Sequence, residues 1–141
     1  MKTIFEKIID REIPADIIYE DEKHIAFLNI TPFEKGHTLV CPKHPYPTIF
    51  DMPKEGYLSL QALVHTLGSH IATTLDADMN IFQNNGHFSG REVEHVHVHL
   101  VPRRTEKKLY RDDHDEIYEE GEKDAYAEKL RVNGENLVLS M

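Results

Sequence analysis

Residues 95–101 read His95-Val96-His97-Val98-His99-Leu100-Val101, so imidazole and aliphatic side chains alternate along the chain. Successive side chains of a β-strand point to opposite faces. The alternation therefore predicts a strand over 95–101 with its three histidines on one face and its aliphatic residues packed on a core. A proline at position 102 is expected to end this strand.

The row of histidines has three interpretations. It is an exposed alternating strand with no special role, a metal site, or a catalytic face that handles an anion. At a rise of about 3.3 Å per residue, His95 and His99 lie roughly 13 Å apart, so one metal ion would take two of them plus other groups. Imidazole attacks phosphorus, donates hydrogen bonds to phosphate oxygens and exchanges protons near neutral pH. We favour the third interpretation and predict no metal and no cofactor.

The remaining apolar patterns predict an α+β fold with an antiparallel sheet of about five strands. Further strands are expected at 17–19, 24–28, 37–41 and 79–83, with a short helix at 3–9 and a long helix at 55–75. A C-terminal helix is expected within 115–131. We predict one domain over residues 1–110 and a charged, partly helical C-terminal extension over 111–141.

Composition excludes several classes of protein. The 141 residues include 16 Lys and Arg against 25 Asp and Glu, a formal net charge of -9, which disfavours nucleic acid and anionic membranes as partners. A single cysteine, Cys41, excludes an internal disulfide. The N-terminus lacks the apolar core of a signal peptide and no apolar run reaches the roughly 20 residues of a membrane span, so we expect a cytoplasmic protein.

The histidine run resembles the signature of the histidine triad (HIT) superfamily. Other segments are similar to that family at matching positions: 5–15, 19–21, 27–32, 36–44, 84–86 and 102–103. The closest branch looks like the Hint-type nucleotide-binding proteins. The resemblance implies a HIT-like fold and a homodimer with its two sheets joined.

The resemblance also implies catalytic roles. His97 would attack the α-phosphorus and carry a transient nucleotidyl group, and His99 would contact the phosphate oxygens. His95 would hold His97 through its main-chain carbonyl. His37 would face the triad from the neighbouring strand, and His44 would belong to the proton-handling network.

Nucleotide binding is implied in the same way. Asn29 would bind the ribose hydroxyls, and Asn84 the phosphate or leaving-group side. An apolar slot for the base would be formed by Phe5, Ile8, Phe27, Leu28 and Ile30. The implied activity is hydrolysis or nucleotidyl transfer on a purine nucleoside phosphate derivative, of phosphoramidate or dinucleoside polyphosphate type. The alternative is a nucleotide-binding regulatory or scaffold dimer with little turnover.

Three segments depart from the family pattern, and one of them is the tail over 104–141, which is longer than in minimal Hint-type proteins. Gly90-Arg91-Glu92 stands where the family usually reads Gly-Gln-(Ser or Thr). Arg91 is expected to donate to a phosphate, whereas ionised Glu92 would repel an anionic leaving group and favour a cationic one. Thr3 and Glu6 replace the Cys-x-x-Cys of many bacterial relatives, so the structural zinc site of those relatives is expected to be absent.

Four histidines lie outside every motif, and we expect them to be surface or structural residues: His24, His65, His70 and His114.

Overall fold

The computed structural model describes residues 1–106, 109 and 115–132. Within these residues the chain forms helices α1 (Ile4–Ile9), α2 (Lys54–Leu75) and α3 (Glu122–Leu130), and strands β1 (Ile17–Glu20), β2 (His24–Leu28), β3 (Thr38–Pro42), β4 (Asp78–Phe82) and β5 (Val98–Arg103). The strands form one antiparallel sheet in the order β1-β2-β3-β5-β4. The predicted α+β fold with five strands, a long helix and a short N-terminal helix is confirmed. His114 lies outside the described residues.

Strand β5 begins three residues later than predicted. Before Val98 the chain is bent, because the His95 amide donates to the Val93 carbonyl at 2.9 Å and the Val96 amide donates to the Tyr46 carbonyl at 2.9 Å. At its other end β5 continues through Pro102, which pairs with Met79 of β4. A proline is accommodated there because the pairing with β3 stops at Leu100, so no amide is needed on that side.

The two faces of the sheet pack against different helices. Ala26 and Leu28 of β2 belong to the main core, which also contains the buried stripe of α2. Ile25 and Phe27 of the same strand point the other way and pack with Phe5 of α1. Strands β2 and β3 are therefore buried on both faces. Since Val96, Val98 and Leu100 enter the α2 core as predicted, the histidines between them belong to the α1 face.

The C-terminal segment is bonded to the loop that precedes β3. The Glu116 amide donates to the Pro32 carbonyl at 2.9 Å, the Lys35 amide donates to the Glu116 carboxylate at 2.8 Å, and the Gly36 amide donates to the Tyr118 hydroxyl at 2.9 Å. Residues 115–119 form neither helix nor strand, and α3 (Glu122–Leu130) lies inside the predicted range of 115–131. It buries Ala127 and Leu130 in the main core. The domain boundary at residue 110 stays a prediction.

Gly36 has a structural reason to be glycine. Its φ is +96°, and a Cβ there would lie 2.8 Å from Leu75 Cδ1. The turn that leads into His37 therefore packs directly against the end of α2.

No helix in the described part of the chain is long and apolar enough to cross a membrane.

Candidate active site

The ring of His95 is fixed from both sides. Its side chain is fully buried, and Nε2 lies 2.7 Å from the Pro42 carbonyl oxygen. A carbonyl only accepts, so the ring hydrogen lies on Nε2. Nδ1 then accepts from the Thr3 hydroxyl at 3.4 Å, while the Thr3 oxygen accepts from the Glu6 amide at 3.2 Å. The N-terminus of α1 thus holds the first histidine of the row.

His97 is held through the backbone of His95. Its Nδ1 lies 2.7 Å from the His95 carbonyl oxygen, so Nδ1 carries the hydrogen and Nε2 keeps the lone pair. Burial lowers the pKa of His97, and the other charges around it do not reverse that direction. The ring also makes an edge contact with Phe5 at 5.0 Å between centroids. His97 is therefore a neutral imidazole with its nucleophilic nitrogen defined by a main-chain contact.

His37 and His99 form a second hydrogen-bonded pair in this cluster. The Phe33 amide donates to His37 Nδ1 at 3.0 Å, which places the hydrogen of neutral His37 on Nε2. That hydrogen is donated to His99 Nδ1 at 2.9 Å, so the remaining hydrogen of His99 lies on its Nε2. Burial and the neighbouring His97 lower the pKa of His37 to about 4. Burial, with His37 and His97 nearby, lowers that of His99 to about 3. Both rings are neutral at pH 7.

The His99 ring also stacks on Phe82, with centroids 4.3 Å apart and planes 10° from parallel. The centroid of the His99 ring lies 5.0 Å from that of His97. Phe82, Phe33 and Thr3 were not predicted as site residues. Phe82 is the cross-strand partner of His99 in the β4–β5 pairing, so a known register is the one signal that identifies it.

Two cavities meet at Asn29. The histidine cavity, of about 240 Å³, is lined by Asn29, Thr31, Phe33, His37, Phe82, Asn84, Gly90, Glu92, His97, His99 and Asp115. The apolar cavity, of about 110 Å³, is lined by Ile4, Phe5, Ile8, Ile13, Pro14, Ala15, Phe27, Leu28, Asn29, Ile30 and Leu39. All five residues predicted for the apolar slot thus share one cavity, and the structure places Asn29 between it and the histidines.

Two predicted site residues lie elsewhere. His44 is exposed, packs against Tyr46 with ring centroids 4.4 Å apart, and lines a separate cavity. Arg91 is not among the residues that line the histidine cavity, and its guanidinium lies 4.0 Å from the Glu94 carboxylate. Its neighbours Gly90 and Glu92 line the cavity instead. The binding roles of His44 and Arg91 stay predictions.

The buried carboxylate of Glu34 fastens the loop that leads to His37. It is 2% exposed and accepts from Arg103 Nε at 2.8 Å, the Arg104 amide at 3.0 Å and the Thr105 hydroxyl at 3.0 Å. Burial alone would raise the pKa of Glu34, but these hydrogen bonds hold it below its ordinary value. The charged carboxylate therefore ties the end of β5 to the loop, on which the position of His37 depends.

The Thr3 and Glu6 side chains are occupied in a capping box. Thr3 accepts from the Glu6 amide, and the Glu6 carboxylate accepts from the Thr3 amide at 3.0 Å. Among the described residues, no three His, Cys, Asp or Glu side chains converge on a point where they would hold a metal ion.

The family model of the HIT domain matches residues 10–106. An uncharacterised HIT-like protein of Methanocaldococcus jannaschii is 45% identical over 102 residues, which are 71% of this chain and 78% of that protein. An adenosine 5′-monophosphoramidase of Saccharomyces cerevisiae is 40% identical over 104 residues, which are 74% of this chain and 64% of the yeast protein. A purine nucleoside phosphoramidase of Escherichia coli is 36% identical over 103 residues, 71% of this chain and 86% of that enzyme.

Solved structures show the same likeness. A HIT-like protein from Bartonella henselae superposes with a TM-score of 0.81 at 31% identity, covering 92% of this chain and 95% of the other.

Proposed function

The chain belongs to the HIT family, and from this premise we propose that it hydrolyses a purine nucleoside phosphate derivative at its α-phosphorus through a nucleotidyl intermediate on His97. The observation that carries the proposal is the hydrogen bond from His97 Nδ1 to the His95 carbonyl, which leaves Nε2 as the nucleophile. The names of the yeast and Escherichia coli relatives, both phosphoramidases, support this reaction type.

The two cavities suit the two ends of a nucleotide. The base enters the apolar cavity between α1 and β2, where Phe5 and Phe27 meet edge to face at 5.4 Å. The ribose then lies at Asn29, which lines both cavities. The phosphorus consequently lies among His97, His99 and Asn84 in the histidine cavity. The carboxamide oxygen of Asn29 already accepts from the Thr31 amide at 2.9 Å, which orients its NH₂ group as a donor.

In the first step, His97 Nε2 attacks the α-phosphorus. A bond forms from Nε2 to phosphorus and the bond from phosphorus to the leaving nitrogen or oxygen breaks. The leaving group takes the bonding electrons, and an amine leaving group also takes a proton from solvent water. The His95 carbonyl stabilises the positive charge that develops on the His97 ring through the Nδ1–H bond. His99 Nε2–H donates to a phosphate oxygen, and its orientation is set by His37.

In the second step, water attacks the same phosphorus and loses a proton to solvent, and His97 leaves as neutral imidazole with the electrons of the P–N bond. The products are a nucleoside monophosphate and the released amine or phosphate. The low pKa values of His37 and His99 keep both rings neutral, so His37 Nε2–H continues to donate to His99 Nδ1 and His99 Nε2–H stays available to the phosphate during each step.

The direct test is to trap the intermediate. The protein is mixed with adenosine 5′-phosphoramidate, quenched within milliseconds in alkaline denaturant, where the P–N bond survives, and digested at alkaline pH for mass spectrometry. We expect an adenylyl group on the peptide that contains His97, and AMP as the product. His97→Asn should show neither, while His65→Asn, a change at an exposed histidine of α2, should match the parent.

The competing function is a nucleotide-binding dimer with little turnover. AMP binding by calorimetry, without turnover of any phosphoramidate or dinucleoside polyphosphate, would replace the hydrolase proposal with this one.

We propose a homodimer as the working form. Strand β4 lies at an outer edge of the described sheet, and Ile81 on it is 51% exposed, so its free side offers both backbone groups and an apolar contact to a second copy. Sedimentation should give twice the 16.4 kDa chain mass. A monomer at catalytic concentrations would remove this part of the proposal.

A further inference from the structure

The histidine cavity carries negative charge and no full positive charge in its described lining. Glu92 and Asp115 both line it, whereas no Lys or Arg belongs to the described residues around it. The histidines His37 and His99 are neutral at pH 7 because their pKa values are about 4 and about 3. A phosphate ester is an anion, and the two carboxylates of the cavity repel it. A positive charge elsewhere on the ligand would offset this repulsion.

The two carboxylates come from different parts of the chain. Glu92 follows Gly90 on the segment that leads into the histidine row, and its negative charge acts to raise the pKa of His97. Asp115 lies beyond residue 106, where the HIT match ends. It is held at the cavity because the next residue, Glu116, bonds to both Pro32 and Lys35 of the loop before β3. Asp115 therefore reaches the histidine cavity from outside the segment that the family model matches.

Their position assigns them to the leaving-group side. Both residues line the histidine cavity and neither lines the apolar cavity. With the base in the apolar cavity and Asn29 at the junction, the nucleoside occupies one side of the phosphorus. The group bonded to the other side of the phosphorus then shares the histidine cavity with Glu92 and Asp115.

We propose that Glu92 and Asp115 select a leaving group that carries a positive charge, an amine with a second ammonium group, and reject anionic leaving groups such as nucleoside polyphosphates. The inference rests on the proposed hydrolysis at the α-phosphorus. An ammonium group is attracted to both carboxylates, and a polyphosphate is repelled by both. The substrate class is thus a nucleoside phosphoramidate of a cationic amine.

The test uses three adenosine 5′-phosphoramidates that differ only at the end of the leaving amine. The amines are 1,3-diaminopropane, propylamine and β-alanine, which end in an ammonium, a methyl and a carboxylate group. We expect kcat/KM to fall in that order, by about 10-fold per step at low salt, and the differences to shrink as ionic strength rises. Diadenosine triphosphate should be hydrolysed more slowly than the propylamine compound.

Variants of the two carboxylates test their assignment. The relevant quantity is kcat/KM for the ammonium compound divided by kcat/KM for the methyl compound. Glu92→Gln and Asp115→Asn should each lower this ratio by about 3-fold. Glu92→Lys should reverse the preference towards the carboxylate compound. Glu94→Gln is the matched control, because Glu94 is two residues away and does not line the cavity, and its ratio should equal that of the parent.

Two different failures are distinguishable. Equal kcat/KM values for the three compounds, or a ratio that the Glu92 and Asp115 variants leave unchanged, would overturn the leaving-group proposal and leave the hydrolase intact. If none of the three compounds is hydrolysed faster than by His97→Asn, the proposed function itself is wrong.

Discussion

Two regions of the molecule each bury a histidine against a fixed partner, and the partners differ in charge. His97 donates to the carbonyl of His95. His24, which is 7% exposed, places Nδ1 3.1 Å from both carboxylate oxygens of Asp21, with its Nε2 3.4 Å from the Ser59 hydroxyl. By its chemistry alone, the Asp21–His24–Ser59 row resembles the catalytic row of a serine hydrolase.

The surroundings of the two regions differ as much as the partners. Asp21 also accepts from the Lys23 and His24 amides and from Tyr19, and these bonds hold its pKa below the ordinary value in spite of burial. Ser59 lies within α2, whose amides at that position are used inside the helix, so they cannot donate to an oxyanion. The Asp21 row fixes the β1–β2 turn to α2 and, through His24 and Ser59, lines the cavity that also contains His44, whereas the His97 row lies in the histidine cavity, which shares Asn29 with the apolar cavity.

The largest expected effect separates these regions directly. His97→Asn should lower kcat/KM for adenosine 5′-phosphoramidate by at least about 10³-fold, because the nucleophile is removed. His24→Asn should keep kcat/KM within about 3-fold of the parent but lower the free energy of unfolding by about 1–2 kcal/mol. Initial rates and urea unfolding measure the two quantities. A loss of activity in His24→Asn as large as in His97→Asn would break the comparison.

A second variant tests the donor role of His99. His99→Phe keeps an aromatic ring against Phe82 but removes the Nε2–H donor, so kcat/KM should fall by about 10²-fold with little change in KM. The melting temperature shows whether packing is preserved. An increase in KM with unchanged kcat would mean that His99 binds the ground state and the transition state equally, which would contradict the donor role proposed for it.

The pH dependence of stability should differ between the two regions. His37 has an unfolded pKa of 6.5 and a folded pKa of about 4. Its contribution to the free energy of unfolding is therefore complete above pH 6.5 and is lost as the pH falls towards 4, at up to about 1.4 kcal/mol per pH unit. Asp21 has a lowered pKa, so its contribution is lost only below pH 3.8. Urea midpoints against pH should therefore show a smaller slope between pH 6.5 and 4 in His37→Gln. A slope equal to the parent's would contradict the buried neutral state of His37.

The smallest effect concerns the support of His95. Thr3→Val removes the helix cap and the contact to His95 Nδ1, and it should cost about 1 kcal/mol of stability. The His95 tautomer is still fixed by the Pro42 carbonyl, so kcat/KM should change by less than about 3-fold. Thr48→Val, which removes the same type of cap from the turn at Ile49–Asp51, is the matched control for stability. A larger loss of activity would show that the cap positions the triad.

Much of the fold was predictable, because it depends on patterns that extend over a few residues. The spacing of Leu60, Val64, Leu67 and Ile71 predicts a helix, and the alternation at 95–101 places Val96, Val98 and Leu100 in the core. The bend at His95 was not predictable, since it depends on the Val96 amide reaching Tyr46, 50 residues earlier. The course of residues 115–119 likewise depends on the loop at 32–36.

The sequence by itself identified the candidate site residues: three histidines at a two-residue spacing, His37 on another strand, and apolar residues for one slot. Only the tertiary structure decided which nitrogen of each ring holds a hydrogen. The deciding groups are the Pro42 carbonyl, 53 residues from His95, and the Phe33 amide beside His37. It also brought Asp115 to the histidine cavity and left Arg91 out of its lining. Side-chain alternation follows from local backbone geometry, whereas hydrogen-bond partners and cavity walls depend on which distant segments the packed core brings together.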